Sequence, residues 1–118
     1  MSPRILVIDD EEQICNYLSE LFKLEGWSAD IAYDGYEGVR LASDQEYDVI
    51  IMDILMPRLT GIEATKEIIR RKPNSKIVVI TGAPYHKQAE DALSYGAKSF
   101  VKKPFSPQKI IQVVKQLI

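Results

Sequence analysis

Cysteine is nearly absent from the sequence. Cys15 is the only cysteine in 118 residues, so no disulfide can form within the chain and no thiolate metal cluster can be built. Long apolar runs are also missing, since none approaches the roughly 20 residues that a membrane-spanning helix needs. Residues 1–4 contain no hydrophobic segment typical of a secretory signal. We therefore expect a cytoplasmic protein that does not bind membranes, with Cys15 as an inert thiol in a helix.

An excess of basic charge is missing as well. The formal net charge is -2, and the 15 Lys and Arg residues are scattered apart from short clusters at 70–72 and 102–103. Proteins that bind nucleic acids usually concentrate basic residues in a patch, so we do not expect direct DNA binding. The length and the 46% hydrophobic content suit one globular domain over residues 1–118.

Five segments have the composition of β-strands. Residues 5–8, 49–52 and 77–80 are almost wholly aliphatic and β-branched, which is typical of strands covered on both faces of a parallel sheet. Residues 28–33 and 98–101 mix polar with apolar side chains, as edge strands do when one side meets solvent. The sequence therefore predicts three central strands and two edge strands.

Segments with helical periodicity alternate with these strands. The first helix is predicted at residues 11–25 and ends at Gly26. Its predicted buried face consists of Ile14, Leu18, Leu21 and Phe22. Two further helix starts have the side-chain spacing of capping boxes, namely Asp34 with Glu37 and Thr60 with Glu63.

The last two helices follow the fourth and fifth strands. The fourth helix is predicted at roughly residues 85–95, with Ala89, Ala92 and Leu93 expected to face inward. Ser106 and Pro107 supply an N-cap and a first-turn proline for the fifth helix. Its predicted buried stripe consists of Ile110, Ile111, Val114 and Leu117. Strict alternation of strands and helices predicts an α/β fold, a doubly wound (βα)5 parallel sheet in the flavodoxin-like strand order 2-1-3-4-5.

Polar side chains stand where the predicted strands end. Asp9 and Asp10 follow the first strand, Asp53 the third, Thr81 the fourth and Lys103 the fifth. Each residue alone has an ordinary explanation, and Asp10 in particular has the spacing to cap the first helix through Gln13. Ligands of such sheets bind beyond the carboxyl ends of the strands, near the reversal of strand order. The five residues together therefore predict a functional site.

The predicted acidic cluster requires a compensating charge. Two like charges 4 Å apart repel by about 4 kcal/mol at an effective dielectric constant of 20, so three carboxylates need a cation or bound protons. Mg²⁺ prefers oxygen ligands and commonly bridges carboxylates to a phosphate; Mn²⁺ suits the same oxygen ligands. With Asp53 as nucleophile, Lys103 and the Thr81 hydroxyl are placed to bind the phosphoryl oxygens.

These motifs resemble the receiver domain of response regulators in two-component signalling. The motifs are Asp9-Asp10, Asp53 with Met56-Pro57 and Gly61, Thr81-Gly82, and Lys103-Pro104-Phe105. The resemblance implies that Asp53 is the phosphoacceptor and that Asp10, Asp53 and the Leu55 carbonyl bind the metal, with Asp9 acting through water. It also implies a cis peptide bond between Lys103 and Pro104. A receiver catalyses its own phosphorylation and dephosphorylation and is not a stand-alone turnover enzyme.

The same resemblance assigns roles outside the phosphoacceptor site. Thr81 and Phe100 match the family's switch residues, which change the surface formed by helix 4, strand 5 and helix 5. Leu55 and Ala83 occupy positions that modulate the lifetime of the phosphoryl group, and both are apolar here. We interpret His86 as a surface residue and not as a phosphohistidine.

The resemblance implies partners in a phosphorelay. A sensor histidine kinase or a histidine phosphotransfer protein is expected to supply the phosphoryl group, and a downstream protein or effector domain to respond. It leaves open whether phosphorylation produces a homodimer, and whether the receiver stands alone or belongs to a longer regulator.

Three other classes of protein fit this sequence less well. A flavodoxin would need a phosphate-binding loop where residues 9–12 are all acidic. A phosphohydrolase resembling the haloacid dehalogenases would carry an acid at the position of Leu55. A constitutive interaction module with the receiver fold would usually have lost part of the site.

Overall fold

The computed structural model describes residues 2–82 and 86–118, except for the side chain of His86. Five strands alternate with five helices along the chain. The strands are β1 (Arg4–Ile8), β2 (Ser28–Ala32), β3 (Val49–Asp53), β4 (Ile77–Thr81) and β5 (Ser99–Lys102). The helices are α1 (Glu12–Leu24), α2 (Gly35–Asp44), α3 (Gly61–Arg71), α4 (His86–Ser94) and α5 (Pro107–Leu117). Three predictions concern residues outside this description: the helix start at Tyr85, the role of Ala83 and the surface position of the His86 side chain.

The five strands form one parallel sheet in the order β2-β1-β3-β4-β5, which confirms the predicted doubly wound topology. Every residue of β3 and β4 is buried, whereas β2 and β5 are only partly covered. This difference follows from position, because edge strands have a neighbour on one side only. No helix within the described residues is long and apolar enough to cross a bilayer.

Two apolar clusters cover the two faces of the sheet. In β1, Ile5 and Val7 point toward α1 and α5, while Leu6 and Ile8 point toward the side that holds α2, α3 and α4. Successive side chains of a strand point to opposite faces, so uniformly apolar strands supply both clusters at once. The sheet is therefore buried on both of its faces.

Helix boundaries follow local capping chemistry. The Thr60 and Glu63 side chains form a complete capping box at the start of α3, and Asp34 caps α2 by accepting a hydrogen bond from the Glu37 N–H. Ser106 caps α5 in the same way, and Gly26 follows α1 with a φ of 82°. A glycine adopts this left-handed conformation without steric strain.

Some predicted helix faces were wrong in detail. The centre of the buried face of α1 is Cys15, Leu18 and Phe22, while Ile14 and Leu21 are only partly buried. In α5 the buried residues are Ile110, Val113 and Val114, while Ile111 and Leu117 lie at the margin.

Two further details of the helices differ from the predictions. Leu93 is 40% exposed, because the small residues Ala89 and Ala92 form the contact with the sheet and Leu93 lies further round the helix. The N-cap of α1 is Glu11 without a side-chain hydrogen bond, so the proposed capping by Asp10 through Gln13 does not occur.

Candidate functional site

The carboxyl ends of β1 and β3 bring three carboxylates together. These strands are neighbours in the sheet, so Asp9 and Asp10 after β1 lie beside Asp53 at the end of β3. One carboxylate oxygen from each of the three residues lies within 4.8 Å of the others. Asp9 and Asp53 are 1% and 4% exposed, whereas Asp10 faces solvent. The predicted acidic cluster therefore forms, with two members inside the protein.

Burial makes this cluster unfavourable for ionised carboxylates. Burial raises the pKa of Asp53 to about 6, the negative charge of Asp9 adds to the rise, and the ammonium group of Lys103 opposes it. The pKa of Asp9 is also raised, chiefly by burial, against the lowering effects of the Glu11 backbone N–H and of Lys103. Loss of solvation disfavours the charged form of an acid. Without a compensating cation, ionisation of this cluster opposes folding.

The donor set fits a hard divalent cation. Oδ1 of Asp9 accepts a hydrogen bond from the Glu11 N–H at 2.9 Å, but the buried Oδ2 has no hydrogen-bond partner within the described residues. Buried carboxylate oxygens normally have partners, and a cation supplies one. Asp9, Asp10 and Asp53 provide only oxygen ligands, which suit Mg²⁺ or Mn²⁺.

Lys103, which directly follows the edge strand β5, brings an ammonium group to the carboxylate cluster. Its Nζ lies 3.2 Å from Asp53 Oδ1, 3.9 Å from Asp9 Oδ2 and 3.4 Å from Glu11 Oε1. Burial alone would lower the pKa of Lys103, but the three carboxylates outweigh burial and raise it. The Lys103–Pro104 peptide bond is cis, as the resemblance implies. The site therefore contains a fixed positive charge in contact with Asp53.

Glu11 is a site residue that the sequence analysis missed as a partner of Lys103. It lies directly after the acidic pair in the sequence, yet its contact spans 92 positions along the chain. The acidic run at residues 9–12 was the available signal, although only the fold shows which of these carboxylates faces the lysine.

Thr81 lies at the end of β4, next to β3 in the sheet, and is 1% exposed. Its hydroxyl donates toward the Gly82 carbonyl oxygen at 3.1 Å and toward Gln88 Oε1 at 3.2 Å. Gln88 is a second residue that the sequence analysis missed. Phe100, on the neighbouring strand β5, is partly buried and packs against the apolar cluster on the α2, α3 and α4 side.

The segment between β3 and α3 is held tightly against the site. A Cβ atom at Gly61 would lie 2.1 Å from the Asp53 carbonyl oxygen, and the Gly61 N–H donates to the Ile54 carbonyl at 2.8 Å. Arg58 has a φ of 66° and forms an ion pair with Asp34 at 3.2 Å. The hydrogen bond between Gly61 and Ile54 therefore joins the two ends of this segment, and the Arg58–Asp34 ion pair connects its middle to the start of α2.

Comparison with known proteins agrees with this geometry. The family model "Response regulator receiver domain" matches residues 5–115, so the chain belongs to that family. The chain is similar to the chemotaxis protein CheY of Thermotoga maritima, with 32% identity over 118 residues that cover 99% of this chain and 98% of that protein.

Two further relatives show the range of proteins that contain this fold. The response regulator SaeR of Staphylococcus aureus is 31% identical over 114 residues, which are 97% of this chain but only 50% of SaeR. The receiver domain of a sensor histidine kinase from Pseudomonas aeruginosa superposes with a TM-score of 0.90 at 25% identity, over 99% of this chain and 98% of that one. That structure has a magnesium ion coordinated in its active-site cleft.

Proposed function

We propose that residues 1–118 form one receiver domain that accepts a phosphoryl group on Asp53 in a Mg²⁺-dependent reaction. The observation that carries this proposal is the contact of the Lys103 ammonium with Asp53, 3.2 Å away, beside two further carboxylates. A nucleophile flanked by a fixed cation and by ligands for a second cation suits transfer of an anionic group.

The transfer requires an ionised Asp53. A carboxylate oxygen of Asp53 attacks the phosphorus atom of a phosphohistidine in the donor protein and forms an acyl phosphate. The phosphorus–nitrogen bond breaks, its electron pair stays on the imidazole nitrogen, and that nitrogen takes up a proton from solvent. Lys103 stabilises the charge on the transferred group, because its ammonium already lies against Asp53.

Asp10 and Asp53, the Leu55 carbonyl and, through water, Asp9 would hold the metal ion. When bound, Mg²⁺ neutralises phosphoryl oxygens and removes the repulsion among the carboxylates. Hydrolysis of the acyl phosphate is a separate step, in which water attacks phosphorus and gives up a proton to solvent, the phosphorus–oxygen bond to Asp53 breaks with its electron pair staying on the carboxylate, and inorganic phosphate leaves. The Leu55 side chain is 61% exposed and apolar, so it offers no group to orient that water.

The output of the domain is proposed to pass through Thr81 and Phe100. A phosphoryl oxygen on Asp53 draws the Thr81 hydroxyl toward β3, and the Phe100 ring turns inward into the space that opens. A change from 1:99 to 99:1 between two states needs about 5.5 kcal/mol, which a single hydroxyl contact does not supply. We therefore expect a partial population shift of the surface formed by α4, β5 and α5.

The proposed partners are a sensor histidine kinase or a histidine phosphotransfer protein as donor, and a downstream protein or effector domain as target. A cytoplasmic location and a receiver that does not act as a stand-alone turnover enzyme are part of the same proposal. The family membership supports these partners, because receiver domains act between such proteins.

Incubation with acetyl phosphate tests the proposal. With Mg²⁺ the protein should gain one hydroxylamine-labile phosphoryl group, and chelation of Mg²⁺ should prevent the gain. Asp53→Asn should abolish it, while Asp44→Asn, a change at an exposed aspartate of α2, should leave it intact. Lys103→Met should slow it by about 10²-fold.

Three results would contradict the proposal. The first is persistence of the modification in Asp53→Asn, the second is its mapping to His86, and the third is an equal extent of modification without a divalent cation. Absence of any modification in the wild-type protein would favour a constitutive interaction module instead.

A further inference from the structure

The hydroxyl of Thr81 is already engaged by α4. It is buried, and its two acceptors are the Gly82 carbonyl oxygen at 3.1 Å and Gln88 Oε1 at 3.2 Å. Gln88 is the third residue of α4, so this bond connects the end of β4 to the first turn of the next helix. A hydroxyl has one proton to donate, and any new acceptor must take it from these two.

From this contact we infer that Gln88 is a positioning residue that holds the Thr81 hydroxyl away from Asp53 in the resting protein. The inference rests on the proposed function, in which a phosphoryl group on Asp53 recruits that hydroxyl. The hydrogen bond between Gln88 and Thr81 competes with the contact between Thr81 and the phosphoryl oxygen. The strength of this competition sets how far the domain switches, and release of Gln88 passes the change directly to α4.

The orientation of the Gln88 amide does not alter the argument. With Oε1 toward Thr81, the amide accepts the hydroxyl proton. With the amide turned, Nε2 donates to the hydroxyl oxygen and the hydroxyl proton goes to the Gly82 carbonyl. In both cases the side chain of Gln88 has to release Thr81 before Thr81 can turn toward β3.

The consequence is a measurable effect on a phosphoryl mimic. Gln88→Met keeps the length of the side chain but removes the amide, so binding no longer requires the bond between Thr81 and Gln88 to break, while the bond to the Gly82 carbonyl oxygen is the same in both proteins. Beryllofluoride should bind in the presence of Mg²⁺ about 2- to 10-fold more tightly to this variant, which corresponds to the net worth of one hydrogen bond. Gln116→Met makes the same change at an exposed glutamine of α5 and should leave the affinity at the wild-type value.

A double-mutant cycle separates this role from a merely structural one. In the Thr81→Val background, Gln88→Met should no longer change the affinity, because the hydroxyl that Gln88 holds is absent. An equal gain in both backgrounds would overturn the inference, and so would equal affinities of Gln88→Met and wild type. Gln88→Ala serves as the second variant if the methionine protein does not fold.

A measurement on the free protein, without beryllofluoride, tests the role of Gln88 separately from the proposed function. If the wild-type protein does not bind beryllofluoride at all, the proposed function fails. The contact itself is then judged in the free protein by the NMR couplings that report the χ1 angle of Thr81. Gln88→Met should change these couplings, whereas unchanged couplings would show that Gln88 does not position Thr81.

Discussion

Replacing Asp53 with asparagine should make the metal-free protein more stable. Asparagine has nearly the shape of the protonated aspartic acid but never carries the charge that burial and Asp9 disfavour. The rise in the pKa of Asp53 from its ordinary value of 3.8 to about 6 corresponds to about 3 kcal/mol of destabilisation when the group is ionised. This figure already includes the attraction by Lys103, because that attraction acts on the same pKa.

The pH dependence of the effect has a definite sign. The folded pKa of Asp53 is higher than the unfolded one, so the folded protein binds more protons between about pH 4 and 6. The destabilisation is absent below the unfolded pKa and complete above the folded pKa. The gain from Asp53→Asn should therefore be largest above about pH 7, at up to about 3 kcal/mol, and vanish below about pH 4.

Urea denaturation with a chelator present measures this difference. The exposed variant Asp44→Asn is the matched control and should change the free energy of unfolding by less than about 0.5 kcal/mol. Addition of millimolar Mg²⁺ should remove most of the advantage of Asp53→Asn, because the cation stabilises only the wild-type carboxylate cluster. A variant that is less stable than wild type at neutral pH without metal would refute the electrostatic reasoning.

Three further changes test the site and its supports. Asp10→Asn should weaken Mg²⁺ binding, measured by NMR titration, and unchanged amide shifts in the variant would exclude Asp10 as a ligand. Gly61→Ala should destabilise the protein by at least about 2 kcal/mol, because its Cβ would meet the Asp53 carbonyl oxygen at 2.1 Å; Gly38→Ala, whose Cβ would have the side chain of Ile8 and not backbone as its nearest neighbour, should cost less in urea denaturation. Thr65→Val should raise the free energy of unfolding by about 1 kcal/mol, because the buried Thr65 hydroxyl has no hydrogen-bond partner within the described residues; a loss of stability on urea denaturation would show that this hydroxyl has a partner.

The fold was predictable because local and global patterns agree in this chain. Strands that are apolar throughout can only be central, and strict alternation with helices requires parallel pairing. The positions of Asp9, Asp53 and Lys103 followed from this topology, since parallel strands end at one edge. Thr60 and Ser106 accept hydrogen bonds from backbone N–H groups only three residues further along the chain, so the helix starts at these residues could also be predicted from sequence spacing.

Contacts between residues of different elements were less predictable. The bond between Thr81 and Gln88 and the ion pair between Glu11 and Lys103 depend on side-chain directions that the sequence pattern does not specify. The inward position predicted for Leu93 was wrong for a related reason. Ala89 and Ala92 are buried, whereas Leu93, one position after Ala92, lies about 100° further round the helix and is 40% exposed.

The carboxylates that are proposed to take part in phosphoryl transfer are also the groups whose ionisation opposes folding. Asp9 and Asp53 are held almost without solvent, and Lys103 compensates them only in part, since the pKa of Asp53 is still raised. A bound cation or a transferred phosphoryl group with its metal would complete the charge balance that the fold alone leaves incomplete. Stability and phosphorylation should therefore change in opposite directions when Asp53 is neutralised. A variant that gained stability at this position and kept phosphoryl transfer would require a nucleophile other than Asp53.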